Sequence, residues 1–175
     1  MTTGGVGEAG VRKSVELAIV AERIGATFYK NVAEVFSDRG RTDLAVTFGF
    51  LADEEKRHES RFREMLNFDV PTVAIATLQD APTTTIATLD IGADEYLTAV
   101  AVEMFNAAVY RKLDKIDDVV DVILKAIDLE KSSLLYYTGL KEVLGSDRIL
   151  EEIIAEEKKH LVQFTTMLEE NVFGS

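Results

Sequence analysis

One short pattern, written twice, constrains this chain more than any other feature of it. Glu54-Glu55-Lys56-Arg57-His58 is followed by Phe62 and Met65-Leu66, and Glu156-Glu157-Lys158-Lys159-His160 by Phe164 and Met167-Leu168. The two copies hold both histidines of the sequence. On an α-helix, residues three apart share a face, so each Glu-x-x-His aims a carboxylate and an imidazole at one point. Two such pairs with matching flanks point to a metal.

The pattern belongs to a longer repeat. Ala18-Ile19-Val20-Ala21-Glu22 and then Phe28-Tyr29 precede the first copy; Ala126-Ile127-Asp128-Leu129-Glu130 and then Tyr136-Tyr137 precede the second. The chain therefore reads as two similar helical hairpins, each with one lone glutamate and one Glu-x-x-His. Two copies at so long a period do not make a solenoid. Apolar residues stepping by three and four predict helices over 11–36, 42–66, 119–144 and 147–170. The first seam is Val15, Ala18, Glu22, Gly25, Tyr29, Val32, Phe36, and the second is Ala45, Phe48, Ala52, Glu55, His58, Phe62, Met65. Ile123, Ile127, Glu130, Leu134, Tyr137 and Leu144 form the third, and Leu150, Ile153, Glu157, His160, Phe164 and Met167 the fourth. All six candidate donors thus lie on inward stripes. Ser37-Asp38-Arg39-Gly40 reads as a turn, Asp117-Asp118 as a break and cap, and Gly145-Ser146 as a stop followed by a cap. Helices of about 25 residues are roughly 37 Å long. The expected fold class is all-α: a four-helix bundle built from two repeated hairpins, with a long crossover and one extra helix.

Residues 1–10 are small and Gly-rich, read as a flexible N-terminus without the apolar centre of a signal peptide. One domain is expected over 11–175, with hairpins at 11–66 and 119–170 flanking a crossover at 67–118. Both prolines, Pro71 and Pro82, fall in that crossover. After it, 93–115 reads as an amphipathic helix with Tyr96, Leu97, Val100, Ala101, Met104, Phe105, Ala108 and Val109 on one side. Glu103 beside this stripe reads as a solvated edge residue, and so do Glu54, Lys56, Arg57, Glu156, Lys158 and Lys159 around the motifs.

Hydrophobic residues make up 47% of the 175-residue chain, enough for a sizeable core. A net charge of −12 argues against nucleic-acid partners and anionic membranes. The absence of cysteine excludes disulfides, zinc-thiolate sites and iron–sulfur clusters on this chain, and fits a cytoplasmic setting. No uncharged run reaches the ~18 residues of a membrane span. With no cysteine nucleophile and no histidine to spare for a serine triad, other catalytic arrangements are not visible.

Four glutamates and two histidines on inward stripes are costly. A desolvated carboxylate loses several kcal/mol, and four facing each other also repel. A dinuclear divalent site brings about four positive charges and offsets both effects. Carboxylate oxygen with imidazole nitrogen suits iron, manganese or zinc better than copper(I).

This set, one glutamate from each of two helices and one Glu-x-x-His from each of the other two, resembles the ferritin-like diiron carboxylate superfamily. The nearest branches are rubrerythrin and bacterioferritin. The resemblance rests on 11–36, 42–66 and 119–170 and leaves 67–118 outside. It implies two metal ions, iron foremost with manganese or zinc as alternatives. It places Glu22, Glu55 and His58 on one side of the set and Glu130, Glu157 and His160 on the other, with Glu55 and Glu130 bridging. Tyr29 and Tyr137 admit two readings, core packing or a hydrogen bond that orients a ligand carboxylate, and the resemblance favours the second. It also implies an oxidoreductase acting on hydrogen peroxide or dioxygen; a ferroxidase and a non-catalytic metal-binding protein are the alternatives. Two departures stand out. Rubrerythrins often carry a further glutamate where this chain has Ser133, and many carry a Cys₄ rubredoxin-like domain that this cysteine-free chain lacks. An external electron donor, rubredoxin-like or a flavoprotein reductase, is therefore expected. A homodimer meeting along the 93–115 helix is expected too, with exchange of hairpins between chains as its extension.

Overall fold

Helices form where the seams put them. The computed structural model describes residues 8–66, 97, 99–101 and 118–173. Its long helices are α1 (Glu8–Asp38), α2 (Thr42–Leu66), α3 (Val119–Leu144) and α4 (Arg148–Phe173). The described residues contain no strand, and the four long helices form an all-α bundle.

The helix ends show the local chemistry. α1 starts at Glu8, inside the tail expected to be flexible, and buried Ser14 donates to the Gly10 carbonyl at 3.0 Å. It runs to Asp38, two residues past the expected end, and closes with paired bonds from Arg41 N to Phe36 O and from Gly40 N to Ser37 O. Gly40 has φ of 72°, the left-handed conformation this closure needs. Asp118 caps α3 by accepting from the Val120 amide at 2.9 Å. Gly145, φ 78°, ends α3 by donating to the Lys141 carbonyl. The cap of α4 is Asp147 rather than Ser146: its carboxylate accepts from the Leu150 amide at 3.0 Å. α4 begins one residue later than expected and runs three residues further.

α1 packs mainly on α2, and α3 on α4. Arg61 of α2 reaches Glu152 and Glu156 of α4, while Glu54 of α2 reaches His160. The rising residue on one helix meets the falling one on the other, so α2 and α4 run antiparallel. The apolar interior forms two clusters. One gathers Val15, Ile19, Phe62, Tyr136, Tyr137, Leu140, Leu150 and Ile153. The other gathers Phe28, Tyr29, Phe36, Phe48, Leu51, Ile123, Ile127 and Phe164. Between them lies a polar layer of Glu22, Glu55, His58, Glu130, Glu157 and His160, each at most 5% exposed.

Leu97 and residues 99–101 are helical. Leu97, Val100 and Ala101 are buried against the first cluster. These three belong to the stripe expected at a dimer contact. The chain covers them with its own core. The rest of the expected 93–115 helix, Glu103 included, lies outside the described residues, as do both prolines. No helix among the described residues is long and apolar enough to cross a membrane.

Candidate metal centre

Each long helix delivers its donors by the same device, a polar residue set into an otherwise apolar stripe. Glu22 on α1 follows Val15 and Ala18; Glu130 on α3 follows Ile123 and Ile127. Glu55 with His58 on α2, and Glu157 with His160 on α4, occupy successive turns of one face. All six residues predicted from the sequence come together. They form two interlocked groups: Glu22, Glu55, His58 and Glu157, and Glu55, Glu130, Glu157 and His160. Within each group the donor atoms lie within 4.8 Å of one another.

Glu55 and Glu157 belong to both groups, and Glu130 to one. Glu157, rather than the Glu130 expected to bridge, is thus the second glutamate common to both groups. Glu157 sits between the two imidazoles: Oε1 is 2.8 Å from His58 Nδ1, and Oε2 is 3.4 Å from His160 Nδ1. Glu130 Oε2 and Glu55 Oε1 each stand 3.7 Å from His160 Nδ1.

The donors face a common interior rather than one another. Glu22 Oε2, Glu55 Oε1, both Glu157 oxygens and both Nδ1 atoms are buried without a hydrogen-bond partner. His58 Nδ1 and Glu157 Oε1 are close enough for a bond but not aligned for one. Buried polar atoms are rarely left so. A carboxylate–imidazole donor set with orphaned atoms converging on two points fits two divalent ions of the iron, manganese or zinc type.

Electrostatics agree. Burial, then Glu157 and Glu22, push the Glu55 carboxyl well above the usual range; burial and Glu157 do the same to Glu130. Burial opposes charge on His58, yet Glu157 and Glu22 outweigh it and raise the ring to about 11. Glu130 and Glu157 likewise outweigh burial and raise His160 to about 10. Burial also opposes the charge of Glu157, but the adjacent Glu130, His160 and His58 outweigh it and hold the carboxyl below the usual range. The metal-free centre thus gathers protons where cations would sit.

The surrounding layer crosses the bundle. His58 Nε2 lies 2.9 Å from Glu156 Oε2 on α4, and His160 Nε2 lies 2.9 Å from Glu54 Oε2 on α2. With Nε2 donating outward, a neutral ring keeps the Nδ1 lone pair aimed inward. Glu54 and Glu156, expected to be solvated, instead hold the two histidines. Their signal was present in the sequence as a Glu-Glu pair opening both motifs. Lys56, Arg57, Lys158 and Lys159 are exposed as expected. Tyr29 donates to Glu130 Oε1, and Tyr137 donates to Glu22 Oε1 at 2.5 Å. Both tyrosines therefore orient a carboxylate, and each serves the opposite hairpin. Burial and the adjacent carboxylates raise both phenols well above their usual value, which keeps them protonated donors.

A helical bundle carrying a buried double cluster of carboxylates and histidines defines a ferritin-like protein of the diiron-carboxylate class. The family model of rubrerythrin matches residues 13–118, and the chain belongs to the rubrerythrin family. The match runs through 67–118, the segment that the motifs had left outside the resemblance, and ends as α3 begins. No curated protein and no solved structure matches the chain.

Proposed function

We propose that the protein is a rubrerythrin-like non-haem diiron oxidoreductase that reduces hydrogen peroxide or dioxygen with electrons from an external rubredoxin-like or flavoprotein donor. The observation that carries this reading is the pair of interlocked donor groups sharing Glu55 and Glu157. Glu22, Glu55, His58 and Glu157 would hold one ion, and Glu55, Glu130, Glu157 and His160 the other. A pair of ferrous ions supplies two electrons at adjacent positions, the number needed to cleave an O–O bond.

The chain's own residues provide the setting. Glu156 and Glu54 fix the imidazole rings, and Tyr29 and Tyr137 fix the lone glutamates. The apolar clusters on both sides exclude bulk water. For peroxide the balance is two electrons and two protons taken up and two waters released. Ser133 offers no carboxylate, so changes in binding mode fall to the six donors. All six come from one chain, so hairpin exchange is not needed to complete the set. A homodimer stays part of the proposal, with exposed Val46, Phe50 and Val162 as available apolar surface.

The test is anaerobic loading with Fe²⁺ followed by peroxide in stoichiometric steps. Two Fe²⁺ bound per chain, both oxidised by one peroxide, and peroxide turnover restored by an added donor are expected. Unlimited Fe²⁺ oxidation by a hollow shell of many subunits would replace this reading with a ferroxidase. A full load of redox-silent metal with no peroxide consumption would replace it with a non-catalytic site.

A further inference from the structure

Gly25 stands in the middle of α1, buried and on the inward seam, one turn beyond Glu22. Glycine weakens a helix interior relative to alanine, and Gly25 is not among the glycines with positive φ. Backbone conformation therefore does not explain it. Space does. A Cβ at residue 25 would lie 3.0 Å from Glu55 Oε2, 3.3 Å from its Cδ and 3.4 Å from its Cγ. The shared carboxylate rests against bare helix backbone. Gly49, in the interior of α2, makes the contrast: a Cβ there would meet nothing within 4 Å.

The repeat sharpens this. Counting three residues from the lone glutamate of each half, Gly25 follows Glu22 and Ser133 follows Glu130. The second half carries a Cβ and a hydroxyl at this buried position, and the first carries neither. The motif carboxylates differ in the same sense. Glu157 lies near both imidazoles, at 2.8 and 3.4 Å, while Glu55 approaches His160 only to 3.7 Å. Glu55 thus lies toward α1, in the volume that Gly25 leaves open.

We infer that Gly25 is a positioning residue: its missing side chain lets the Glu55 carboxylate settle against α1 at the one place where it belongs to both donor groups. A methyl group there would displace Oε2 by a few tenths of an ångström and misalign the shared position, leaving the six donors chemically intact. This rests on the metal-centre reading above.

The experiment compares Gly25→Ala, Gly49→Ala and the unaltered protein by two readouts. One is melting of the metal-free chain. The other is anaerobic titration with Co²⁺, a redox-silent ion whose visible bands report its coordination. Gly49→Ala should raise the metal-free Tm by about 2–4 °C through helix propensity alone and leave Co²⁺ binding unchanged. Gly25→Ala should bind Co²⁺ at least ~10-fold more weakly with shifted bands, in the range set by misplaced ligand supports. Co²⁺ binding by Gly25→Ala as tight as that of the unaltered protein, with the same bands, overturns the inference. If Gly25→Ala folds poorly, Gly25→Ala with Glu55→Asp, which draws the carboxylate back from the methyl, should restore the metal-free Tm; failure to restore it also overturns the inference. Should the unaltered protein itself take up fewer than two Co²⁺ per chain, the metal-centre reading fails instead.

Discussion

The two hairpins agree at the centre and part company around it. Each supplies one lone glutamate, one Glu-x-x-His, one tyrosine for the other's lone glutamate and one outer glutamate for the other's histidine. Outside this set the halves differ. Tyr29 is packed by Phe28, Phe48 and Phe164, with ring centroids 5.2, 6.1 and 5.7 Å away. Tyr137 meets Phe62 at 5.1 Å and Tyr136 at 6.0 Å, and Tyr136 donates to the Ser14 carbonyl at 2.9 Å. Glu54 is 17% exposed and pairs with Arg57 of its own helix; Glu156 is 37% exposed and pairs with Arg61 across the bundle. Donor identity and direction are fixed by what the site must hold, whereas the surrounding packing needs only volume and satisfied polar atoms, so it drifts.

If the shared carboxylates are the pivot of the symmetry, their loss should have the largest effect. Glu157→Ala is expected to weaken both metal equivalents by more than about 100-fold, beyond the range for an outer support. Glu22→Ala and Glu130→Ala should each remove one equivalent. Calorimetric titration with Co²⁺ checks this, and equal losses for Glu157→Ala and Glu130→Ala would instead favour Glu130 as a shared ligand.

Metal removal comes next. At a free ion concentration a hundredfold above Kd, each site should add about 2.7 kcal/mol, or roughly 5–10 °C in Tm for a chain this size. The metal-free form should also weaken as pH rises. His58, His160, Glu55 and Glu130 all have raised folded values. Their contribution is full below the unfolded values, near 6.5 for the histidines and 4.5 for the carboxyls, and fades as pH climbs toward 10–11, the folded histidine values. Glu157 acts in the opposite sense, but its contribution is lost only as pH falls below the unfolded value of 4.5. The gap in Tm between loaded and metal-free protein should therefore widen from pH 6 to pH 9. A gap that narrows would contradict this balance.

The outer glutamates test how far the halves have diverged. Glu54→Gln and Glu156→Gln should each weaken binding about 10–100-fold. Glu54→Gln should be the more damaging, because its carboxylate is the less exposed of the two. Identical losses would mean that the exposure difference has no energetic consequence. The tyrosines should give the smallest effects. Tyr137→Phe should lower both Tm and metal affinity, since Glu22 loses a buried donor, whereas Tyr136→Phe should cost about 1 kcal/mol of stability and leave metal binding untouched. A metal effect from Tyr136→Phe would extend the site beyond the residues described.

Helices, seams and the six inward donors were legible in the sequence because a helix places side chains by a local rule. Its period of 3.6 residues puts Glu22 with Val15 and Tyr29, or Glu157 with His160, on one face wherever that helix ends up. The hairpin repeat added that the halves must be alike. The sequence did not decide who meets whom across the bundle. It could not show that Glu157 rather than Glu130 is common to both donor groups, that Tyr29 serves Glu130 while Tyr137 serves Glu22, or that the partly exposed Glu54 and Glu156 each hold the opposite histidine. Nor could it show that Leu97, Val100 and Ala101 are covered by the chain's own core. Those contacts depend on the axial register and rotation of one helix against another. Both are set by packing among residues some 100 positions apart, such as Tyr29 with Glu130 (101 apart) and Glu54 with His160 (106 apart), and no spacing within a single helix encodes them.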